Sequence, residues 1–313
     1  MVYTIGMYDL IIIGGGPAGV AAGIYASRKK LNALLLTKDF GGQSVTSTKI
    51  ENFIGYTAIS GLELAKTLEA QLRNQKHIEI KDGVTITNVT KGDNGFMVVD
   101  GNNVVYQAKA VLMTLGSTYK HLHVPGEQEF SGKGVFYCAT CDAPLMQDKA
   151  TIVVGGGNSG LEAARDLLPF ASKIYILEYA AELKGDTVTQ EMLRKEAKVE
   201  IIANAETKEI FGGEFVQGLK YIDRVSGEEK TLQAEGVFVA IGMRANSDIL
   251  QGLVHMTPAG NIIVDKTTFQ TSEKGVWAAG DITDSSYNQI NTAIGEAIKA
   301  TLNIYEMLSK KEI

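Results

Sequence analysis

Cysteine is nearly missing from this chain of 313 residues. There are 2, too few for the disulfide framework that holds small secreted domains together. Proline is scarce at 5, against 34 glycines. That balance excludes a Pro-rich low-complexity chain and points to tight strand-to-helix turns. Basic charge is not in excess either. Thirty Lys plus Arg face 36 Asp plus Glu, a formal charge of -6, which argues against a nucleic-acid partner or an anionic membrane surface. No stretch nears the roughly 18 consecutive apolar residues of a membrane span. Met1 to Leu10 has no basic start and no cleavage pattern, so no secretory signal is expected and the default compartment is cytoplasmic. Residues 1–7 read as a short disordered lead-in. What remains is an ordinary globular composition, 45% hydrophobic and 21% charged. The length suits two domains at about 150 residues each.

The chain contains its own repeat. Residues 8–23 read YDLIIIGGGPAGVAAG, and residues 150–164 read ATIVVGGGNSGLEAA. Each is a short apolar run, a glycine turn, then Ala-rich helix-forming sequence. The fingerprint glycines are Gly14, Gly16 and Gly19, then Gly155, Gly157 and Gly160. The first takes the tight turn. The second lets the backbone approach a pyrophosphate, and the third lets helix and strand pack closely. Phosphates then sit at the helix N-terminus, where free N–H groups favour negative charge. The next apolar runs end at Thr37 and Glu178, each 23 residues past the first glycine. An acid near that position ordinarily holds an adenosine ribose 2′-OH. The second copy has its acid, and the first has Thr37. Two intact copies predict two nucleotide-binding domains. The alternative is one working site beside one decayed copy.

Between the fingerprints, Leu62 to Leu72 has apolar residues at helical spacing, and residues 84–90 and 96–106 alternate like strands. Val111 to Gly116 and Val237 to Gly242 read as closing strands. Lys220 to Arg224 and Glu229 to Gln233 flank the turn Val225-Ser226-Gly227-Glu228, a hairpin insert. Ile290 to Leu308 reads as a long final helix.

Both cysteines fall in one motif, Cys138-Ala139-Thr140-Cys141. Two thiols at this spacing can close and reopen a small disulfide and pass two electrons. Asp142 follows and can serve as general acid or base, or simply as a turn carboxylate. Zinc is the main competitor for the thiols. A structural site needs four ligands, and His121 and His123 would have to complete it at a spacing that matches no finger pattern. No metal is expected. Further along, Gly41-Gly42-Gln43 follows the second strand, and Val276-Trp277-Ala278-Ala279-Gly280-Asp281 ends an apolar strand in Gly-Asp. Gln289 and Ile290 open the last helix.

On these segments the chain resembles low-molecular-weight thioredoxin reductases along essentially its whole length. The matching stretches are IIIGGGPAGVAAGIYASR, GGQ, IENFIG, YCATCDAP, GGGNSGLEAA, GVFVAIG and GVWAAGD. The resemblance implies an α/β fold of two Rossmann-like dinucleotide-binding domains, three-layered with small β inserts, of the FAD/NAD(P)-linked disulfide reductase type. FAD would sit on a discontinuous domain, residues 1–117 and 246–313. A nicotinamide would sit on residues 118–245, which also carry the CxxC. The resemblance further implies a homodimer, a domain rotation that alternates the CxxC between flavin and exterior, and delivery of electrons to thioredoxin or a thioredoxin/glutaredoxin-like protein. It makes Cys141 the flavin-proximal thiol, Cys138 the attacker on the partner and Asp142 the proton donor. The FAD contacts expected are Gly14, Gly16, Pro17, Ala18, Gly19, Thr37, Gly41, Gly42, Gln43, Asn52, Gly280, Asp281, Gln289 and Ile290. The dinucleotide contacts expected are Gly155, Gly157, Asn158, Ser159, Gly160 and Glu178.

One stretch departs from that family. NADPH-using members carry His-Arg-Arg and a further Arg after the second strand of the nicotinamide domain. Here the stretch is Glu178-Tyr179-Ala180-Ala181-Glu182-Leu183-Lys184. A 2′-phosphate wants Arg forks, and Glu178 would repel it. NADH is therefore favoured over NADPH. The stretch looks more like the NADH-using flavoprotein of the alkyl hydroperoxide reductase system, whose N-terminal thioredoxin-like domains have no counterpart in this sequence. It also resembles some archaeal thioredoxin reductases that accept neither nicotinamide well. Two alternatives stay open: the same reductase fed by another donor such as reduced ferredoxin, and a redox-sensing flavoprotein without turnover.

Overall fold

The computed structural model describes residues 4–47 and 49–310. The chain divides into two compact units, Met1–Thr118 with Arg244–Ile313, and Tyr119–Met243.

In the first unit, a buried parallel sheet is built on the strand Thr4–Gly15. It pairs with Ala33–Phe40 on one side and with Val105–Met113 on the other. Ile78–Lys81 extends the sheet beyond Ala33–Phe40. Leu10 to Ile13, Leu34 to Leu36 and Val111 to Met113 are buried on both faces, which is why they read as continuous apolar runs rather than alternating ones. Truncating one of these leucines to Ala would cost about 2–5 kcal/mol. The strand Val105–Met113 changes neighbour along its length. Its first half is antiparallel to Gly95–Asp100, and its last three residues pair in parallel with Val276–Ala278. The insert Ile86–Gly92 and Gly95–Asp100 therefore joins the main sheet.

The helix Pro17–Arg28 is rich in buried small residues, among them Ala18, Ala22 and Ala26. Small side chains let it pack closely on the final helix Ile290–Ser309, whose Ala293, Ala297 and Ala300 are also buried. The helix Gly61–Arg73 starts on a capping box. Ser60 accepts from the Glu63 N–H, and the Glu63 carboxylate reaches back to the Ser60 N–H.

Two expectations need correction. The lead-in is not disordered from residue 4 onward. Thr4 pairs with Val105, Ile5 with Tyr106 and Met7 with Gln107, while residues 1–3 lie outside the described residues. The reason is the second correction: the closing strand begins at Val105 rather than Val111, so it offers a longer edge.

The second unit has a five-stranded parallel sheet in the order Val199–Ile202, Lys173–Leu177, Ala150–Val154, Gly236–Val239 and Val135–Phe136. Alternation along Ala150–Val154 separates two cores. Val153 faces Leu161, Leu167 and Phe238 on the side of the helix Asn158–Leu167. Ile152 and Val154 face Leu219 and Tyr221. Those two residues belong to a three-stranded antiparallel sheet, Ala205–Gly212, Val216–Asp223 and Glu229–Gln233. The result is three layers. The hairpin turn falls where the sequence predicts, with Gly227 at φ 76°. Arg224 leaves the strand, because its N–H turns to the Asn204 carbonyl. Among the described residues, no helix is long and apolar enough to cross a membrane.

Candidate functional site

The two fingerprints have the same local geometry. Gly14 and Gly155 hold φ of 119° and 124°. A Cβ on either would strike a carbonyl oxygen just past the end of the adjacent strand, Thr114 at 2.4 Å or Ala240 at 2.5 Å. A Cβ on Gly19 or Gly160 would lie 1.8 Å from the carbonyl oxygen of Gly14 or Gly155. Gly16 and Gly157 differ: their φ values of −71° and −82° suit any residue, and a Cβ there meets nothing within 4 Å. Glycine is thus not needed by the fold at these two positions, and the open space lies at the helix N-terminus. Sequence reasoning passed over Gly15 and Gly156, although the unbroken Gly-Gly-Gly was a signal. A Cβ at Gly15 would meet the Thr37 hydroxyl at 2.5 Å, and one at Gly156 the Glu178 carboxylate at 2.7 Å.

In the first unit the predicted residues gather around the fingerprint. Gly41 donates its N–H to the Gly15 carbonyl, and Gly42 approaches Gly16 so closely that a Cβ would lie 3.5 Å from its Cα. The Thr37 hydroxyl is used locally, donating to the Asp39 carbonyl at 2.5 Å. Gln43 donates through Nε2 to the Ser117 hydroxyl at 3.1 Å, while its Oε1 is buried with no partner among the described residues. Such an acceptor costs about 1–3 kcal/mol unless something supplies a donor. Asn52 and Gln289, far apart in sequence, meet through a 3.0 Å bond from Nδ2 to Oε1. Pro17 starts its helix, and Ile290 starts the last one. Gly280, at φ 79°, lies against Ala18 and Ala293 and donates its N–H to Glu296 Oε2 at 2.8 Å. Burial first, and the Glu296 charge second, push Asp281 up to about 6. Glu296 was missed by sequence reasoning. Its signal was a carboxylate at the i+3 position from Ala293, on the same face as Ala297 and Ala300.

An orphaned buried acceptor, a glycine cradle and a half-buried carboxylate fit a large polar, phosphate-bearing group such as FAD. The fit rests on the side chains present.

In the second unit Cys138 and Cys141 form a disulfide, with Cα atoms 5.3 Å apart. Cys138 precedes the short helical turn Ala139–Asp142, and its carbonyl accepts from the N–H groups of Cys141 and Asp142. Cys141 is exposed and Cys138 half-buried. Thr140, between them, donates to Asp166 Oδ2 at 2.9 Å and so ties the redox turn to the fingerprint helix. Asp142 is half-buried, and burial raises its carboxyl from 3.8 to about 7. A group with that pKa can give and take a proton near neutrality.

The HxH residues do not join the cysteines. His121 Nδ1 lies 3.0 Å from the Tyr137 hydroxyl and 3.3 Å from Glu127 Oε1. Glu127 is buried and accepts from the N–H groups of Leu122 and His123 and from Tyr137.

Glu178 reaches the second fingerprint, as its position suggested. Its Oε2 accepts from the Gly156 N–H at 2.6 Å and its Oε1 from the Ala180 N–H at 2.8 Å. The loop after it folds over the glycine turn. Lys184 and Gly185 donate their N–H groups to the Gly156 carbonyl. Asn158 Oδ1 accepts from the Asp186 N–H at 2.8 Å, and Ser159 is exposed on the first turn of the helix. One cation here escaped sequence reasoning: the Arg224 side chain, brought from the hairpin to Tyr179.

Known proteins resemble this chain in sequence and in fold. A family described as pyridine nucleotide-disulphide oxidoreductase matches residues 8–297. A protein named NADH dehydrogenase from Bacillus subtilis (strain 168) is 42% identical over 301 residues, which is 96% of this chain and 58% of that protein. An alkyl hydroperoxide reductase component from Pseudomonas putida is 41% identical over 310 residues, again 96% of this chain and 58% of that protein. A solved thioredoxin reductase from Giardia duodenalis aligns with a TM-score of 0.92 at 31% identity, covering 97% of this chain and 100% of that one. The chain therefore spans 58% of the length of these two curated relatives.

Proposed function

The chain belongs to the pyridine nucleotide-disulphide oxidoreductase family, and from that premise we propose that it is an FAD-dependent disulfide reductase working from NADH to a thioredoxin-like protein through Cys138 and Cys141. The observation that carries this reading is the closed Cys138–Cys141 pair beside a carboxyl poised near neutrality, in a chain with two open glycine cradles. FAD would be held by the first cradle, with Gly41 to Gln43, Asn52, Asp281, Gln289 and Ile290. When bound it supplies a two-electron carrier between a nicotinamide and the disulfide.

The chain's own groups do the rest. Opening the disulfide takes two electrons and two protons and leaves two thiols. Asp142, protonated below about pH 7, delivers a proton to that step and recovers it later. Cys138, at the start of a helical turn, is the attacking thiolate. It displaces one sulfur of the partner disulfide and forms a mixed disulfide. Cys141 then attacks Cys138 Sγ, which releases the reduced partner and closes the pair again. This order of roles is carried by the family resemblance; in the oxidised form Cys141 is the more exposed residue of the pair.

Glu178 selects the dinucleotide. Its carboxylate, held by two N–H groups at the second cradle, suits a free ribose 2′-OH and repels a 2′-phosphate. A cytoplasmic homodimer completes the reading, carried by the resemblance to thioredoxin reductases.

Anaerobic stopped-flow mixing of the FAD-loaded protein with NADH or NADPH tests it. NADH is expected to bleach the flavin faster than NADPH. Bleaching by neither, with reduction by a low-potential donor such as reduced ferredoxin, would overturn the nicotinamide assignment. Bleaching without reduction of any thioredoxin-like disulfide would leave a redox-sensing flavoprotein.

A further inference from the structure

Beyond the strand Lys173–Leu177 the chain turns through Glu178 to Tyr179, whose residue surface is 56% exposed. A ring this open ordinarily samples several rotamers. This one has a fixed neighbour. The Arg224 guanidinium carbon lies 3.9 Å from the ring centroid, a cation packed on the aromatic face. The same guanidinium donates through Nη1 to the Tyr179 carbonyl at 2.9 Å.

Arg224 is itself anchored. Its N–H donates to the Asn204 carbonyl, and the Asn204 N–H donates to the Ala180 carbonyl. The turn that follows is pinned by Asp223, which accepts from the N–H groups of Val225 and Ser226 and from Lys230 Nζ. On the other side, Ala205 donates its N–H to the Glu178 carbonyl, and the Glu178 N–H donates to the Ile202 carbonyl. The hairpin insert and the loop after the second strand are thus laced together. One residue before Tyr179, the Glu178 carboxylate touches the glycine turn at Gly156. The ring and guanidinium stand next to the ribose end of the second cradle, where a nucleotide base would follow.

A guanidinium stacked on a phenol makes a flat, cationic, solvent-facing surface. Purine bases stack on such planes, and the contact is worth about tenfold in affinity or more. The Nη1 bond to the Tyr179 carbonyl holds the guanidinium plane against the ring, while Nε and Nη2 have no partner among the described residues. A 2′-phosphate clamp is therefore the competing use that the titration below separates.

We propose that Tyr179 and Arg224 form the adenine platform of the nicotinamide site, and that Arg224 sets affinity for the adenosine half of the dinucleotide whatever its 2′ substituent. This rests on the nicotinamide reading of the second fingerprint given above. It makes Arg224 a binding residue for the adenosine half, contributed by the β insert.

Isothermal titration calorimetry of the FAD-loaded protein with ADP-ribose and 2′-phospho-ADP-ribose tests this without turnover. Arg224→Ala is expected to weaken both compounds by the same factor, about tenfold. Arg224→Lys keeps the charge without the plane and should recover less than half of that loss. Tyr179→Ala should lose as much as Arg224→Ala, and the double variant little more, because ring and guanidinium act as one surface. Arg224→Lys and Tyr179→Ala carry the test if Arg224→Ala does not fold. Unchanged ADP-ribose affinity in these variants overturns the platform and leaves the nicotinamide reading standing. A loss confined to the 2′-phospho compound also overturns it, making Arg224 a phosphate ligand. If the unaltered protein binds neither compound, the nicotinamide reading fails and the platform with it.

Discussion

Replacing Asp142 with Asn should make the protein more heat-stable and its disulfide chemistry slower, with both effects depending on pH. Burial raises this carboxyl from 3.8 to about 7. The folded chain then holds a proton that the unfolded chain has already released. The cost of the ionised group is absent below pH 3.8, grows as pH rises, and is complete above about pH 7. At about 1.36 kcal/mol per pH unit the full cost is about 4 kcal/mol. Residual solvent contact and relaxation reduce this to about 2 kcal/mol. Asn is uncharged and escapes the cost. Calorimetric scans of the FAD-loaded protein at pH 8 should show Asp142→Asn melting about 4–8 °C higher. At pH 5 only about a third of that gap should remain, because only that part of the titration range has been crossed. Steady-state reduction of a thioredoxin-like disulfide should fall about 100-fold, the usual loss for a general acid. The inflection of the rate near pH 7 should disappear with it. An equal melting gap at both pH values would refute the buried-carboxyl argument. A wild-type rate with an unchanged pH profile would refute the catalytic one.

Four other substitutions probe the cradles. Gly157→Ala should fold normally, since a Cβ there meets nothing within 4 Å, yet lose flavin bleaching by NADH while keeping FAD. Gly160→Ala, whose Cβ would sit 1.8 Å from a carbonyl oxygen, should not fold. Circular dichroism and stopped-flow absorbance separate the two, and normal bleaching in Gly157→Ala would contradict the reading. Gln43→Leu removes an unpaired buried carbonyl but also the Nε2 bond to the buried Ser117 hydroxyl. The two effects offset, so the FAD-free chain should melt within about 1 kcal/mol of the unaltered one. The variant should release FAD about tenfold more readily in a dilution assay. Unchanged FAD retention would detach Gln43 from the flavin. Glu178→Gln removes the charge at the ribose position, and the kcat/KM ratio of NADPH to NADH should rise about tenfold. A constant ratio would remove Glu178 from the choice of dinucleotide.

Much of the fold was legible in the sequence because parallel strands buried on both faces must be apolar throughout. Leu10 to Ile13 and Leu34 to Leu36 announce themselves in that way. The glycine turns were legible because Gly14 and Gly155 hold a backbone that other residues resist. The start of Val105–Met113 was not. Its first half alternates against a hairpin and its second half is buried on both faces, so only the second half carried a strong signal. The N-terminal pairing from Thr4 was hidden with it. In the candidate site, the residues fixed by local pattern were readable: the cysteine pair, the fingerprints and Glu178. Arg224 was not, because it acquires its surroundings from Tyr179 and Asn204, on segments distant in sequence. Asp142 was visible as a residue, but the burial that moves its pKa is a tertiary property.

The account turns on whether electrons from NADH end on Cys138 and Cys141. An anaerobic NADH titration, sampled with an alkylating agent and read by peptide mass, measures this directly. The account predicts uptake of about two equivalents per chain, one for the flavin and one for the disulfide. Alkyl groups should appear on both cysteines in step with the second. Complete flavin bleaching after about one equivalent, with the Cys138–Cys141 bond still closed, would contradict it.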